Sequence, residues 1–442
     1  MSVLSSPKES HDQVLQLLQE HHKLFSESIP LIASENVPSP AVREAIGSDF
    51  GNRYAEGWVG ERVYAGCVYI DKVERLCIDL AKQLFRAEFA DVRPVSGVCS
   101  NLVVYTAFTN PGDRILTLAI PNGGHISSGR KEFNGTAGSV HGLDVDYFAF
   151  NREEMNIDVD KTKQKVEKMV KEEKRPPKLA MFGGSLFLFP HPMKELADTF
   201  HNIGAKVVYD AAHVAGLIAG GLFQDPLREG ADAVCLSTHK TLFGPQGGTV
   251  LSWDKYGEDI KKATFPSNTS NHHLHHLAGK AVAYAEMLEF GKEYAEQVVT
   301  NAKTLAQALY ERDLAVLMEH RGFTESHQIV VDVTKHGLGG DMERALETAN
   351  IIVNRQLIPG DIQAGRHYMN PGGLRIGTSE ITRLGMKKND MTGVAEFIKR
   401  IVVSKEDPTK LKQDVVAFRQ NFQTVHYCFE SVNKAYEYVK LR

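Results

Sequence analysis

The chain has 442 residues, of which 24% are charged, and a formal net charge of −4. That length exceeds one ordinary domain and suggests two or three units around at least one large core. The mixed, nearly balanced charge argues against a nucleic-acid or membrane-surface protein, and no uninterrupted apolar run approaches a membrane span. Five scattered cysteines (Cys67, Cys77, Cys99, Cys235 and Cys428) form no C-x-x-C pair. They point to reduced thiols in a cytosol, and the N-terminus lacks an apolar signal core, so a cytoplasmic location is expected.

Val14, Leu17, Leu18 and Phe25 recur at helical spacing, which predicts an amphipathic helix over His11–Ser26. Gly, Pro and Asn are frequent from Pro38 to Gly66 and imply ordered loops. Tyr69–Phe89 reads as a helix, with Val73, Leu76, Leu80, Ala81 and Leu84 on one side. Gly97–Thr109 starts another helix directly after a tight turn. Strands and helices then alternate: strands Arg114–Ala119 and Asp146–Phe150, helix Val159–Lys174, strands Leu179–Phe182, Lys206–Tyr209 and Ala233–Leu236. This βα alternation through Gly248 supports a mostly parallel, doubly wound sheet. Lys280–Arg312 reads as a long helical stretch interrupted at Gly291, and the domain boundary is placed there. Beyond it come strand Gln328–Val333, helix Asp341–Asn350, strands Ile351–Asn354 and Leu374–Ile376, then helices Ala395–Val403 and Lys410–Leu441. That mixture suggests a smaller α+β domain. The expected units are a helical arm (1–45), a large α/β domain (46–292) and a small C-terminal α+β domain (293–442).

Ala205–Gly248 carries the strongest chemistry. The run Lys206–Tyr209 ends in Asp210, with His213 three residues on; Ala233–Leu236 ends in Ser237-Thr238-His239-Lys240. The connection is long enough for a crossover, so the two runs read as parallel strands of a βαβ unit. Ligands sit at the carboxyl ends of such strands. An acid, a lysine and two histidines there match the needs of pyridoxal phosphate: an amine for the Schiff base, and a carboxylate to keep the pyridine nitrogen protonated. The same spacing also fits a solvated lysine and an N-capping aspartate. The Gly-Pro-Gln-Gly-Gly turn after Lys240 forces tight backbone where a lysine must stay poised.

The segments VVYDAAHVAGLIAG and STHKTLFGPQGG resemble serine hydroxymethyltransferase, a fold-type I pyridoxal phosphate enzyme. So do LIASEN (Leu31–Asn36), NRYAEGWVGERVYAG (Asn52–Gly66), PVSGVCSNL (Pro94–Leu102), PNGGHISSG (Pro121–Gly129) and GGLRIGT (Gly372–Thr378), in the family's order. Gln246 and SLFLFP (Ser185–Pro190) look most like the archaeal branch. The resemblance implies a large, mostly parallel-sheet domain that binds pyridoxal phosphate, a smaller C-terminal domain, and a homodimer with shared active sites. It implies cofactor covalently held on Lys240, with Ser96, Gly97, His125, Ser185, Asp210, His213 and His239 around it. His125 would stack on the ring and Ser185 would bond near the phenolic oxygen. Ser34, Tyr54, Glu56, Tyr64, His213 and Arg375 would meet the amino acid, with Arg375 clamping its carboxylate. The catalytic set would be Lys240, Glu56, Asp210, His125, His239 and Tyr64. Pterin contacts would come from Glu56, Ile120, Gly124, Ile126 and Gln356.

The implied reaction passes the serine hydroxymethyl group to a reduced pterin, tetrahydrofolate or tetrahydromethanopterin, giving glycine. Two other readings are a pterin-independent aldolase of β-hydroxy amino acids and a silent cofactor-binding scaffold; the intact Lys240, Asp210, His125, Glu56 and Arg375 argue against the latter. Three departures stand out. Gln246 replaces the family's arginine, Phe265–Asn271 reads FPSNTSN in place of a glycine-rich segment, and Gln356 replaces an asparagine. Ser267, Asn268 or Thr269 would then have to supply contacts near the phosphate. His272, His273, His275 and His276 cluster without a neighbouring Cys, Asp or Glu, so no metal is expected.

Overall fold

The computed structural model describes residues 6–430 and 435–438. Helix α1 (Pro7–Glu27) starts at a capping box, in which Ser6 accepts from the Glu9 backbone and Glu9 reaches back to the Ser6 N–H. None of its residues is buried. The chain then runs through Ile29–Pro30, which pairs in parallel with Ile351–Ile352. A short helix, Pro40–Ile46, forms where only loops are expected; Ser39 caps it and Pro40 fits its first turn.

A seven-stranded sheet carries the fold. Its strands are β1 (Phe89–Asp91), β2 (Arg114–Thr117), β3 (Asp144–Tyr147), β4 (Leu179–Gly183), β5 (Lys206–Asp210), β6 (Ala233–Ser237) and β7 (Gly248–Ser252). The order across the sheet is β1-β7-β6-β5-β4-β2-β3, and β7 alone runs against the direction shared by the other six strands. β4 and β6 are buried along their whole length. That is why they read as continuous apolar runs rather than alternating ones. The expected parallel pair is β5 and β6, with Asp210 opposite Cys235. Their crossover holds only the five-residue helix Ala215–Ala219.

Helix α2 (Val68–Phe85) stops short of the expected Phe89, because Arg86 adopts a left-handed conformation and turns the chain into β1. Helix α3 (Gly97–Phe108) begins at Ser96, whose side chain caps the Cys99 N–H at 3.1 Å. The strand expected over Asp146–Phe150 divides into β3 and the short pair Phe150–Asn151 with Asn156–Ile157.

Helix α4 (Leu274–Tyr310) is continuous for 37 residues and is not interrupted at Gly291. Packing overrides the weak helix preference of glycine there. A Cβ on Gly220 would lie 2.5 Å from the Gly291 carbonyl, so the two glycines let the crossover helix end close against α4. α4 feeds both main cores. Leu277, Tyr284, Met287 and Val298 join the core of the large sheet, while Ala302, Leu305 and Leu309 join that of a second sheet.

The second sheet is antiparallel: β8 (Ala315–Val316), β9 (Gln328–Asp332), β10 (Asn354–Gln356) and β11 (Gly373–Gly377), in the order β8-β9-β11-β10. Helices Gly339–Thr348, Met391–Val402 and Pro408–Arg419 accompany it. The helix expected over Lys410–Leu441 ends at Arg419. There the buried guanidinium turns inward and donates to the carbonyls of Ser28 (2.8 Å) and Phe422. Val425 and Cys428 then fold back against Val37, Leu384 and Ala435. Residues 431–434 and 439–442 of that expected helix lie outside the described residues. All five cysteines are free and buried. No helix among the described residues is long and apolar enough to cross a membrane.

Candidate active site

β5, β6 and the start of α3 converge on a cavity of about 190 Å³ lined by Ser96, Gly97, His125, Asp210, His239 and Lys240 among others. Lys240 follows β6 by three residues. The turn after it is tight: Thr238 Oγ1 donates to the Pro245 carbonyl (2.7 Å), and the Gly244 and Phe243 N–H groups donate to the carbonyls of Thr238 and Lys240. Asn36 Nδ2, from the N-terminal segment, also donates to the Lys240 carbonyl, at 2.8 Å. Burial pushes the Lys240 ammonium down to about 8; Arg375 pushes the same way and Asp210 opposes. The amine is thereby poised to act as a nucleophile near neutral pH.

Asp210 is buried at the end of β5. Its Oδ1 accepts from the Ala212 N–H and its Oδ2 from Asn101 Nδ2, both at 3.0 Å. Asn101 lies one turn into α3 and also donates to Ser127 Oγ at 2.8 Å. Ser127 Oγ in turn sits 2.7 Å from His125 Nδ1, which the Ser127 N–H reaches at 3.1 Å. A donor-only backbone N–H facing Nδ1 leaves the proton of neutral His125 on Nε2. Burial lowers the His125 pKa. An Asp210–Asn101–Ser127–His125 chain thus fixes the acid and the histidine together. Neither Asn101 nor Ser127 stands out in the sequence beyond lying inside two motif segments.

Gly97 permits the close approach of α3 to β6, since a Cβ there would lie 2.2 Å from Ser237 Oγ. Ahead of the capped Cys99, the Gly97 and Val98 N–H groups have no partner within the helix, and both residues line the cavity, an arrangement suited to an anion. His239 Nδ1 is buried without a hydrogen-bond partner, and burial holds its pKa down to about 4. A poised amine, a carboxylate with spare lone pairs, unpaired helix N–H groups and an unpaired imidazole nitrogen fit pyridoxal phosphate.

Ser185 and His213 are next in sequence to the lining residues Gly184 and Ala212. The Ser185 backbone carbonyl, not its hydroxyl, makes the bonds seen here. It accepts from Arg375 Nη1 (2.9 Å) and from Gln328 Nε2 (2.9 Å). Arg375 on β11 also donates to Asn354 Oδ1 at 3.2 Å, and burial pushes its pKa down to about 10. His213 is buried, and its pKa lies well below the usual histidine value because of burial, then Lys240 and Arg375. Ser34 opens instead on a neighbouring cavity of about 530 Å³ that His239 and Gln246 also line.

Tyr54, Glu56 and Tyr64 form a separate group that does not line the Lys240 cavity of the same chain. The Tyr54 and Tyr64 rings lie 4.8 Å apart. Glu56 accepts from Tyr54 Oη (3.3 Å) and from Ser270 Oγ. Ser270 belongs to the FPSNTSN departure, whose Asn271 Oδ1 accepts from the Ala55 N–H at 2.9 Å. In the same segment Ser267 and Asn268 bond to Lys262, Ala263 and Thr106, while Thr269 Oγ1 lies 3.5 Å from Cys99 Sγ in the first turn of α3. Gln246 is exposed, and its carbonyl accepts from His276 Nδ1 at 2.8 Å. Among the expected pterin contacts, Ile126 is exposed and Gln356 Nε2 donates to the Leu357 carbonyl at 3.0 Å. Ile120 opens the 3-10 turn Ile120–Asn122, and Gly124 packs too closely on the Leu118 carbonyl to carry a side chain.

A family model described as serine hydroxymethyltransferase matches residues 8–398. A protein of Nitrosopumilus maritimus named serine hydroxymethyltransferase is 64% identical, the match covering 99% of each chain. One of the same name from Cenarchaeum symbiosum is 60% identical over the whole of both chains. Another from Methanocaldococcus jannaschii is 51% identical over 93% of this chain and 94% of its own. With its mostly parallel seven-stranded sheet and near-complete coverage, the chain belongs to the serine hydroxymethyltransferase family of fold-type I enzymes.

Proposed function

We propose that the protein transfers the hydroxymethyl group of serine reversibly to a reduced pterin, giving glycine and the methylene-pterin. The observation that carries this reading is the Lys240 amine and the Asp210 carboxylate on adjacent strand ends facing one cavity. Pyridoxal phosphate, when bound, supplies an electron sink for bond cleavage at the amino acid. Lys240 would hold it covalently, the start of α3 with Ser96 and Gly97 its phosphate, Asp210 its ring nitrogen, and His125 and His239 its flanks. Arg375 orients the amino acid through its carboxylate. Tyr54, Glu56 and Tyr64 act as part of a homodimer, reaching the cavity of the second copy, where Glu56 moves the proton of the hydroxymethyl group. Their separation from Lys240 within one chain supports that reading. The large domain would span 46–292 and the small one 293–442, with the arm 1–45.

For the acceptor we infer a modified pterin in preference to ordinary folate. Gln356 stands where the family pattern has asparagine, and its amide is already engaged by the Leu357 carbonyl. Turnover of serine by the purified enzyme with tetrahydrofolate and with tetrahydromethanopterin tests both statements. Serine cleavage indifferent to either pterin would replace the reading with a pterin-independent aldolase. No cleavage of any β-hydroxy amino acid by the cofactor-loaded protein would leave a silent scaffold.

A further inference from the structure

Gln328 is fully buried at the start of β9 and reaches across to the large sheet. Its Oε1 lies 3.0 Å from the Phe187 N–H; its Nε2 lies 2.9 Å from the Ser185 carbonyl and 3.0 Å from His213 Nδ1. These partners leave one orientation of the amide. The Phe187 N–H can only donate, so the atom facing it is the oxygen. The Ser185 carbonyl can only accept, so the atom facing it is the nitrogen. That nitrogen's second proton points at His213 Nδ1, which must therefore accept. Neutral His213 then carries its own proton on Nε2. A proton on Nδ1 would set an N–H against the Gln328 amide N–H.

We propose that Gln328 is a positioning residue: it holds His213 in the tautomer protonated on Nε2 and couples it to Arg375 through the shared Ser185 carbonyl. The proposal rests on the reading above, in which Arg375 holds the substrate carboxylate. The pair then presents a guanidinium and one fixed N–H donor to that carboxylate. The charged and titratable groups around the imidazole all disfavour a second proton: Lys240, Arg375, the His327 ring stacked at 5.8 Å, and His125. The His213 carbonyl is itself held by Thr241 Oγ1 at 2.8 Å, so the ring is fixed from the backbone as well.

Gln328→Glu is the diagnostic change, because it keeps the shape and replaces the donor with an acceptor. The remaining oxygen would draw the proton to Nδ1 and strip the donor from Nε2. Histidine ¹⁵N shifts of the cofactor-free and cofactor-loaded enzyme read the tautomer directly, with His213→Asn identifying the signals. We expect wild-type His213 protonated on Nε2 and unchanged from pH 6 to 9. In Gln328→Glu the proton moves to Nδ1, and the serine KM at pH 8 rises about tenfold, the worth of one charge-assisted hydrogen bond, with kcat nearly constant. That KM should recover as pH falls, since imidazolium has an N–H on both nitrogens. Gln328→Met, which only releases the ring, should show both tautomers and a smaller rise in KM that does not recover in acid. Wild-type His213 protonated on Nδ1 overturns the proposal, and so does a Gln328→Glu enzyme with unchanged tautomer and KM. If Gln328→Glu does not fold, the wild-type signals and Gln328→Met decide. A wild type with the expected ring signals but no serine turnover refutes the functional reading, not the hydrogen-bond assignment.

Discussion

Lys240 should capture pyridoxal phosphate at a pH where an ordinary lysine is almost inert. Only the neutral amine attacks an aldehyde. With its pKa near 8, about 1% of Lys240 is neutral at pH 6, about 10% at pH 7, half at pH 8 and about 90% at pH 9. An unperturbed lysine at pH 8 would be about 0.3% neutral. Stopped-flow mixing of cofactor-free enzyme with saturating pyridoxal phosphate should show the visible band appearing faster from pH 6 to 9, then levelling. Asp210→Asn sharpens the test. The carboxylate is the group near Lys240 that favours the ammonium, so removing it should move the half-point below pH 8. Capture near pH 7 should then quicken although turnover of serine falls away, because the ring nitrogen has lost its acid partner. A wild-type rate that keeps climbing tenfold per pH unit to pH 10 would refute the poised amine. An Asp210→Asn half-point at or above the wild-type value would refute the electrostatic account.

Lys240→Ala should abolish the visible band; a yellow variant whose cofactor can be reduced onto another lysine would remove Lys240 from its role. Glu56→Gln should suppress pterin-dependent serine cleavage yet spare cleavage of threonine-like substrates, read as the ratio of the two rates. Equal loss of both would confine Glu56 to the shared bond-breaking step or to the fold. Glu380 is buried, and burial pushes its carboxyl up to about 7. The folded state holds that proton more tightly than the unfolded chain, so stability falls as pH rises from about 4.5 through 7. Glu380→Gln should remove this loss and gain up to about 3 kcal/mol over wild type between pH 5 and 8.5 in urea unfolding. A gap between the two proteins that is the same at both pH values would count against it.

The chemistry at the ends of β5 and β6 was legible because strand, polar terminus and glycine turn lie within a few dozen residues. Asp210 and Lys240 need no distant partner to be noticed. Gln328 was not legible: its partners lie 115 to 143 residues away, and a lone glutamine before Ile329–Asp332 reads as the edge of a strand. Asn101 looks like any polar helix residue until the fold brings Ser127 and Asp210 to its amide. Strand β1 escaped because it has only three residues, and β7 because it opens directly out of the Gly-Pro-Gln-Gly-Gly turn. β1 follows directly on α2, where the apolar periodicity runs on past the left-handed Arg86. Gly291 misled for the opposite reason, because its local preference was plain and the close packing against Gly220 was not.

The long helix α4 spans roughly 55 Å at 1.5 Å per residue. As far as Val298 it is walled into the core of the large sheet, and from Ala302 into that of the small one. Asn301 ties it to Thr382 and Met386, and Glu286 to Arg383. A rod shared in this way makes the molecule thermodynamically indivisible. Severing the chain near residue 292 would take Tyr294, Ala295 and Val298 from the large core and Ile29 and Leu31 from the small one, so neither fragment would inherit a finished interior. Heat or urea should therefore melt the two sheets together, and recombination between relatives would succeed only with crossovers placed outside the helix.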